Sequence, residues 1–342
     1  MNYSILRYIL GYVLKIEAAF MLLPCVTSLI YHEEEGRYFF IVACICMLIG
    51  VLMTLHKPKS TTFYLKEGCL ATSLSWILLS LFGAIPFWIS GEIPHWEDAL
   101  FETISGFTTT GATVLGNVEA LSHTALIWRS FTHWIGGMGV LVFLLAILPL
   151  SGGSSINLMR AESPGPSVGK LVPKVRYTAM ILYTIYFGMT VIEFIFLLAG
   201  HMPLFDALTT AFGTAGTGGF GIKNDSIMGY SPYIQWVVAI FMILFGINFN
   251  FYFYLLYRHF KKAVSMEEIH YYLAMILIAI TIIFLNVRTM YPTGFEAMTH
   301  SVFQVASLAT STGFSTTDFD LWPQTSQTIL IIVMFVGACA GS

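Results

Sequence analysis

Long apolar runs constrain the fold of this chain more than any other feature of its sequence. A helix that crosses the hydrocarbon layer of a membrane needs about 20 mostly apolar residues. Only 10% of the 342 residues are charged, whereas soluble domains carry about 25%. The sequence therefore predicts an all-α polytopic membrane protein, surrounded by membrane lipids, with eight crossing helices. Their approximate ranges are 5–30, 38–56, 68–90, 123–149, 177–199, 231–257, 271–289 and 326 to the end.

Three short segments between these runs share a Thr-Gly pair. They are FETISGFTTTGAT at 101–113, GTAGTGGFG at 213–221 and SLATSTGFSTT at 307–317. Aligned on Gly111, Gly218 and Gly313, they are separated by 107 residues (218 − 111) and 95 residues (313 − 218). A repeat of that length can hold a complete supersecondary unit. We therefore expect channel-like repeats, each with a helix, a re-entrant pore helix with a filter loop, and a second helix.

The stretches that lead into the Thr-Gly pairs are too short to cross a membrane. They are 96–110, 203–215 and 295–310. Each is expected to be a half-helix that enters the membrane from outside and stops at the pair. The first two apolar runs contain no such segment and are expected to form a separate N-terminal helix pair. The predicted divisions are 1–56 for this pair and 57–160, 161–262 and 263–342 for three pore repeats, the last incomplete in its second helix.

The residue types of these segments suit a filter for alkali cations. An ion inside a membrane must exchange its water shell for other oxygen atoms, and backbone carbonyls supply them without a permanent charge. Aiming successive carbonyls at one axis requires backbone conformations that are open mainly to glycine. The predicted lining is Thr109, Thr110, Gly111, Ala112, Thr113, Gly216, Thr217, Gly218, Gly219, Phe220, Ser311, Thr312, Gly313, Phe314 and Ser315, with an ion at Thr110, Thr217 and Thr312.

The glycines have two simpler interpretations. Glycine also lets membrane helices pack closely, but three Thr-Gly pairs in one register favour the filter. The sequence GTGGFG at 216–221 matches the dinucleotide-binding pattern G-x-G-x-x-G. No strand precedes it and no helix opens directly after it, so we interpret this match as accidental.

Several polar residues inside apolar runs have two interpretations each. Glu102 could contact entering ions or hydrogen-bond the filter backbone. Arg129 is typical of an interfacial anchor and could also brace the first filter segment. We interpret Glu193, Asn248 and Asn250 as interhelical hydrogen-bonding groups rather than ligands.

Small residues crowd into the last apolar run, VGACAGS at 336–342. They predict a helix that breaks inside the membrane, where unwound backbone is tolerated only if it lines a cavity or is buried in protein. The broken segment could obstruct the permeation path beneath the third filter segment. Close helix packing is the competing explanation.

The distribution of basic residues predicts the orientation of the chain. Ten of the sixteen Lys and Arg fall on one side when eight helices alternate: Lys57, Lys59, Lys66, Arg160, Lys170, Lys174, Arg176, Arg258, Lys261 and Lys262. By the positive-inside rule this side, with the amino terminus, is cytoplasmic. Acidic residues collect on the other side, where they could concentrate cations or merely occupy the remaining loops. The basic groups are too dispersed to predict binding of nucleic acid.

Several motifs together resemble the TrkH-type potassium uptake subunits of the Trk/Ktr/HKT superfamily. They are FETISGFTTTGAT, WRSFTHWIGGMGVLVFLLAILP at 128–149, MRAESPGP at 159–166, AFGTAGTGGFG, ATSTGFSTTDF and GACAGS. The resemblance covers essentially the whole chain. It implies pseudo-fourfold repeats around one pore, preceded by an extra helix pair. Members of this family continue into a fourth repeat, so we expect this chain to be a fragment.

The resemblance also implies a function and partners. It predicts a multi-pass protein of the bacterial inner membrane that takes up K⁺, acts as a homodimer, and is gated by a TrkA-type cytosolic nucleotide-binding subunit. No cofactor is implied other than the transported ion. The family's filter glycines fall on Gly111, Gly218 and Gly313, and its gating loop begins at Gly337, Ala338, Cys339, Ala340, Gly341 and Ser342.

Three other functions are the alternatives to a potassium channel-like transporter. The first is a sodium-permeable or cation-coupled symporter on the same fold. The second is an interaction subunit without a pore of its own, which would be favoured if the Thr-Gly segments did not converge. The third, a membrane enzyme, is disfavoured because His123, His133, His201 and His300 lack metal-ligand spacing.

Overall fold

The computed structural model describes residues 2–58, 65–139 and 175–339. Every regular element in these ranges is a helix, which confirms the all-α prediction. The α-helices are α1 (Tyr3–Phe20), α2 (Leu22–Tyr31), α3 (Gly36–Thr54), α4 (Leu65–Ser90), α5 (Trp96–Phe107), α6 (His123–Met138), α7 (Val175–Ala199), α8 (Leu204–Ala215), α9 (Pro232–Phe245), α10 (Phe249–Leu256), α11 (Phe260–Val264), α12 (Glu267–Val287), α13 (Gly294–Ala309) and α14 (Gln324–Val336).

The chain divides into two compact units, which are described separately below. The first comprises residues 1–108 and 112–183, and the second comprises residues 109–111 and 184–342. The basic positions Lys59, Arg160, Lys170 and Lys174 and the motif at 159–166 lie outside the described residues.

Eight spans were predicted, and the described ranges contain five stretches of helix long and apolar enough to cross a membrane, or six if the bent pair α9 and α10 counts as one span. The five are Tyr3–Tyr31, Gly36–Thr54, Lys66–Ser90, Ala179–Ala199 and Glu267–Val287. The predicted span 231–257 is instead two helices, α9 and α10, bent by 90°. The last predicted span is a helix of only 13 residues, α14. The predicted span 123–149 is described only as far as α6, because residues 140–149 lie outside the described ranges.

The amino-terminal helices pack closely in the first unit. Pro24 near the start of α2 has no N–H with which to continue the helix, and the chain breaks between α1 and α2 at Met21. A Cβ atom placed on Gly11 of α1 would lie 2.8 Å from the Met53 Cβ and 3.0 Å from the Gly50 carbonyl oxygen. Glycine therefore permits the close approach of α1 and α3.

One carboxylate fixes the start of α6. Glu33 lies between α2 and α3 and accepts hydrogen bonds from the His123 backbone N–H (2.8 Å) and the Thr124 backbone N–H (2.9 Å). It also contacts the His123 Nδ1 (2.8 Å) and accepts from the Thr124 hydroxyl (2.6 Å). Partial burial opposes ionisation, but these hydrogen bonds prevail and lower the pKa of Glu33. A negative charge is also favoured at a helix N-terminus.

The three predicted half-helices are present as short helices. They are α5, α8 and α13, and each begins within one residue of the predicted start. Each carries an acidic side chain in its first turn, where the helix dipole favours negative charge: Glu97 and Asp98, Asp206, and Glu296.

We predict that replacing Glu33 by glutamine lowers the free energy of unfolding at neutral pH by about 1–2 kcal/mol. The glutamine loses the charge and one acceptor oxygen at the α6 N-terminus. Because the pKa is lower in the folded state, the stabilisation is complete above the unfolded pKa of about 4.3 and is lost as pH falls through the folded pKa. Thermal unfolding in detergent as a function of pH measures both effects.

The matched control is Glu34→Gln, since the Glu34 side chain is 77% exposed and forms an ion pair with the exposed Arg37. This variant should change the stability by less than about 0.5 kcal/mol, as exposed ion pairs do. Equal losses for the two variants would contradict the capping role of Glu33.

Candidate functional site

The short helices end in a common backbone pattern. In each case the chain turns into the left-handed region shortly after the helix and again two residues later. The first positions are Thr109 (φ 54°), Thr217 (φ 49°) and Ser311 (φ 55°), and the second are Gly111 (φ 73°), Gly219 (φ 76°) and Gly313 (φ 85°). Non-glycine residues seldom adopt positive φ, so the repetition marks three equivalent segments.

This pattern corrects the alignment of the second segment by one residue. Gly219, not Gly218, is equivalent to Gly111 and Gly313. The hydrogen bonds agree, since the Gly218 N–H donates to the Gly213 carbonyl (3.0 Å) as the Thr312 N–H donates to the Ser307 carbonyl (2.8 Å). The separations become 108 residues (219 − 111) and 94 residues (313 − 219).

The correction changes the predicted ion level. Thr110 and Thr312 are matched by Gly218, whereas Thr217 is matched with Thr109 and Ser311. The Thr-Gly pair misled the alignment because the second segment has two adjacent glycines. In the corrected alignment, all three segments share a glycine followed by an apolar residue: Gly111-Ala112, Gly219-Phe220 and Gly313-Phe314.

Residues from all three segments meet within the second unit. A Cβ atom placed on Gly111 would overlap the carbonyl oxygen of Gly218, and one placed on Gly219 would overlap the carbonyl oxygen of Thr312. Each glycine therefore leaves room for a backbone oxygen of the next segment. No described heavy atom lies within 4 Å of the corresponding position on Gly313.

The remaining predicted lining residues have structural contacts. Gly216 ends α8 as its C-cap. Phe220 and Phe314 are each 1% exposed, so their rings are packed inside the protein. The Phe314 carbonyl accepts a hydrogen bond from the Ser307 hydroxyl (2.6 Å), and in the first unit the Ala112 carbonyl accepts one from the Ser105 hydroxyl (2.6 Å).

Glu102 and Arg129 form a buried ion pair in the first unit. The Arg129 Nε donates to the Glu102 Oε1 at 2.5 Å, and their side chains are 2% and 0% exposed. Glu102 also accepts hydrogen bonds from the Thr113 hydroxyl (2.8 Å) and the Val114 N–H (3.3 Å). Glu102 therefore hydrogen-bonds the backbone beside the first segment, and Arg129 braces it rather than anchoring at an interface.

A neutral amide takes the place of Glu102 beside the third segment. Gln304 precedes Gly313 by nine residues, as Glu102 precedes Gly111. Its Nε2 donates to the Ser315 hydroxyl (3.2 Å) and the Thr317 carbonyl (3.3 Å). The Ser315 carbonyl also accepts from the Ile227 N–H (3.0 Å), so the loop after the second segment holds the third.

The predicted break in the last helix is confirmed, because α14 ends at Val336 and Gly337 has a φ of 72°. Cys339 is 5% exposed, and its N–H donates to the Gly246 carbonyl at 3.0 Å. Ala338 lies between them, whereas Ala340, Gly341 and Ser342 lie outside the described residues.

Long apolar helices and the short helices between them define a polytopic membrane protein with a channel-like set of segments. The chain belongs to the TrkH family, described as "Cation transport protein", whose model matches residues 36–342. It is 35% identical over 351 residues to the Trk system potassium uptake protein TrkH of Salmonella typhimurium (strain LT2), covering 100% of this chain and 72% of that protein.

Two further similarities agree with the family. The Trk system potassium uptake protein TrkG of Escherichia coli (strain K12) is 32% identical over 347 residues, covering 99% of this chain and 71% of that protein. The crystal structure of the potassium transporter TrkH from Vibrio parahaemolyticus superposes with a TM-score of 0.88 at 27% identity, covering 100% of this chain and 72% of that chain.

We predict that Glu102→Gln lowers the free energy of unfolding by about 2–4 kcal/mol, because the buried Arg129 guanidinium loses its counter-charge. The double variant Glu102→Gln/Arg129→Gln should recover part of this loss, since it removes the unpaired charge. Thermal unfolding in detergent is measured for the parent protein, for Glu102→Gln, for Arg129→Gln and for the double variant. Glu97→Gln, an exposed change on the same helix, is the control and should cost less than about 1 kcal/mol. Strictly additive losses would exclude the ion pair.

Proposed function

We propose that this chain forms part of a potassium uptake protein of the bacterial inner membrane. Segments 109–111, 217–219 and 311–313 supply carbonyl oxygens that replace the water shell of the ion. The single observation that carries the proposal is the approach of the Gly218 and Thr312 carbonyls to the glycines of the neighbouring segments. Relatives named as Trk system potassium uptake proteins support K⁺ as the ion.

The geometry of the segments suits a dehydrated monovalent cation. Carbonyl dipoles from several chains can surround it without a fixed charge that would trap it. Each short helix ends at its segment, so the negative end of its dipole is directed there. We place the ion level at the carbonyls of Thr110, Gly218 and Thr312, one residue later in the second segment than the sequence predicts.

Gating and assembly belong to the same proposal. The segment that starts at Gly337 obstructs the path, and a TrkA-type cytosolic nucleotide-binding subunit controls it. The protein acts as a homodimer with a cytoplasmic amino terminus. The family assignment supports these features, and the buried position of Cys339 supports a segment that is held in place. The alternative is a sodium-permeable or cation-coupled symporter on the same fold. Measurements of Rb⁺ and Na⁺ flux distinguish it from the potassium uptake protein.

We predict that Gly219→Ser impairs selectivity far more than Gly218→Ser. Serine at position 219 would have to adopt a φ of 76°, and its Cβ atom would overlap the Thr312 carbonyl oxygen. The positions equivalent to Gly218, in contrast, already carry threonine. Rb⁺ and Na⁺ uptake into liposomes that contain the full-length protein measures the effect. We expect the Rb⁺/Na⁺ ratio to fall about tenfold or more for Gly219→Ser.

Gly188→Ser in α7 is the control for this series, because among the described residues no heavy atom beyond its own stretch of helix lies within 4 Å of its Cβ position. It should retain the parent ratio. A greater loss of selectivity for Gly218→Ser than for Gly219→Ser would contradict the corrected register. A parent protein that carries Na⁺ as readily as Rb⁺ would contradict the potassium assignment.

A further inference from the structure

The bend between α9 and α10 separates backbone carbonyls from their helical donors. In an uninterrupted helix the Ile243 carbonyl would accept from the Ile247 N–H, and the Gly246 carbonyl from the Asn250 N–H. Here the Ile247 N–H donates to the Leu244 carbonyl at 3.1 Å. The Asn250 N–H donates to the Asn248 side-chain oxygen at 3.0 Å. The Ile243 and Gly246 carbonyls therefore need other donors.

Groups from elsewhere in the second unit supply these donors. The Tyr272 hydroxyl of α12 donates to the Ile243 carbonyl at 3.2 Å. The Cys339 N–H donates to the Gly246 carbonyl at 3.0 Å. An unsatisfied backbone group costs several kcal/mol at membrane depth. The bend is therefore stable only while these partners stay in place.

The backbone N–H of Cys339 also lacks the acceptor that a continuous helix would give it. Had α14 continued, its N–H would have donated to the Phe335 carbonyl. The helix instead ends at Val336, and Gly337 with its φ of 72° turns the chain away. The hydrogen bond from the Cys339 N–H to the Gly246 carbonyl therefore joins the two broken helices and satisfies a backbone group of each.

The site of this hydrogen bond adjoins the third filter segment. A Cβ atom placed on Gly246 would overlap the Tyr272 hydroxyl oxygen and lie 2.8 Å from the Thr310 Cγ2. The Thr310 hydroxyl in turn lies 2.7 Å from the Thr312 hydroxyl, at the proposed ion level. Gly246 is therefore closely packed between α12 and the end of α13.

We propose that Gly246 and Tyr272 are positioning residues for the segment Gly337–Cys339. The Gly246 carbonyl holds this segment, and Tyr272 holds the bend that presents the carbonyl. When the segment dissociates from Gly246, the Gly246 carbonyl can be satisfied only by water. Release of the segment and entry of water into the path therefore occur together. The link to conduction rests on the proposed function, whereas the positioning itself does not.

The experiment follows the buried Cys339 thiol in the full-length protein in liposomes. A small water-soluble thiol reagent is added, and mass spectrometry follows the labelling of the Cys339 peptide against that of the exposed Cys69. Tyr272→Phe keeps the ring and removes the hydroxyl. We expect it to raise the relative labelling rate of Cys339 about 2–10-fold, as the loss of one hydrogen bond implies. Basal Rb⁺ uptake should rise in parallel, with an unchanged Rb⁺/Na⁺ ratio.

Tyr271→Phe is the matched control, since this neighbour on α12 is 74% exposed, and it should behave as the parent protein. Gly246→Ala provides a second variant, because the added methyl group displaces Tyr272 or Thr310 and should also raise the labelling rate. Parental labelling rates in both Tyr272→Phe and Gly246→Ala would overturn the proposal. Faster labelling with unchanged Rb⁺ uptake would support the positioning role and contradict the gating role assigned under the proposed function.

Discussion

Backbone polar groups at membrane depth must find hydrogen-bond partners inside the protein, and the rest of this structure depends on that constraint. Helices satisfy it within themselves, which is why every described regular element is helical. Where the chain leaves helical geometry, side chains take over. The Ser307 hydroxyl bonds the Phe314 carbonyl, and the Tyr252 hydroxyl bonds the Leu244 carbonyl at 2.6 Å. Irregular backbone therefore survives only where the sequence supplies such groups.

Buried charged side chains also need partners inside the protein, and leaving one unpaired costs more free energy than leaving a backbone group unpaired. The Arg129 guanidinium and the Glu102 carboxylate are tolerated because they pair with each other and with the backbone after the first segment. The third segment uses the neutral Gln304 at the equivalent position, and the second has Thr210 there. Segments with one backbone conformation are thus held by different chemistry, so we expect them to respond differently to substitution.

Much of the fold could be predicted from local sequence. Apolar length indicated the long helices, and the short stretches before each Thr-Gly pair indicated α5, α8 and α13. The 90° bend after Phe245 was not predicted, because no proline lies near it, although Gly246 and Asn248, the N-cap of α10, lie at the bend. The bend depends on Tyr272 and Cys339, which are distant in sequence. The alignment of the three segments was predicted to within one residue. Two adjacent glycines in the second segment left its register ambiguous until the φ angles distinguished Gly218 from Gly219.

We propose that carbonyls of the three segments surround a dehydrated potassium ion. Diffraction at the rubidium absorption edge from crystals of the full-length protein grown in Rb⁺ tests it directly, because anomalous density locates the ion without reference to mutants. We predict density between the carbonyls of residues 109–111, 217–219 and 311–313, at the level of Thr110, Gly218 and Thr312. Ordered Rb⁺ elsewhere in the membrane region, with none between these carbonyls, would contradict the account.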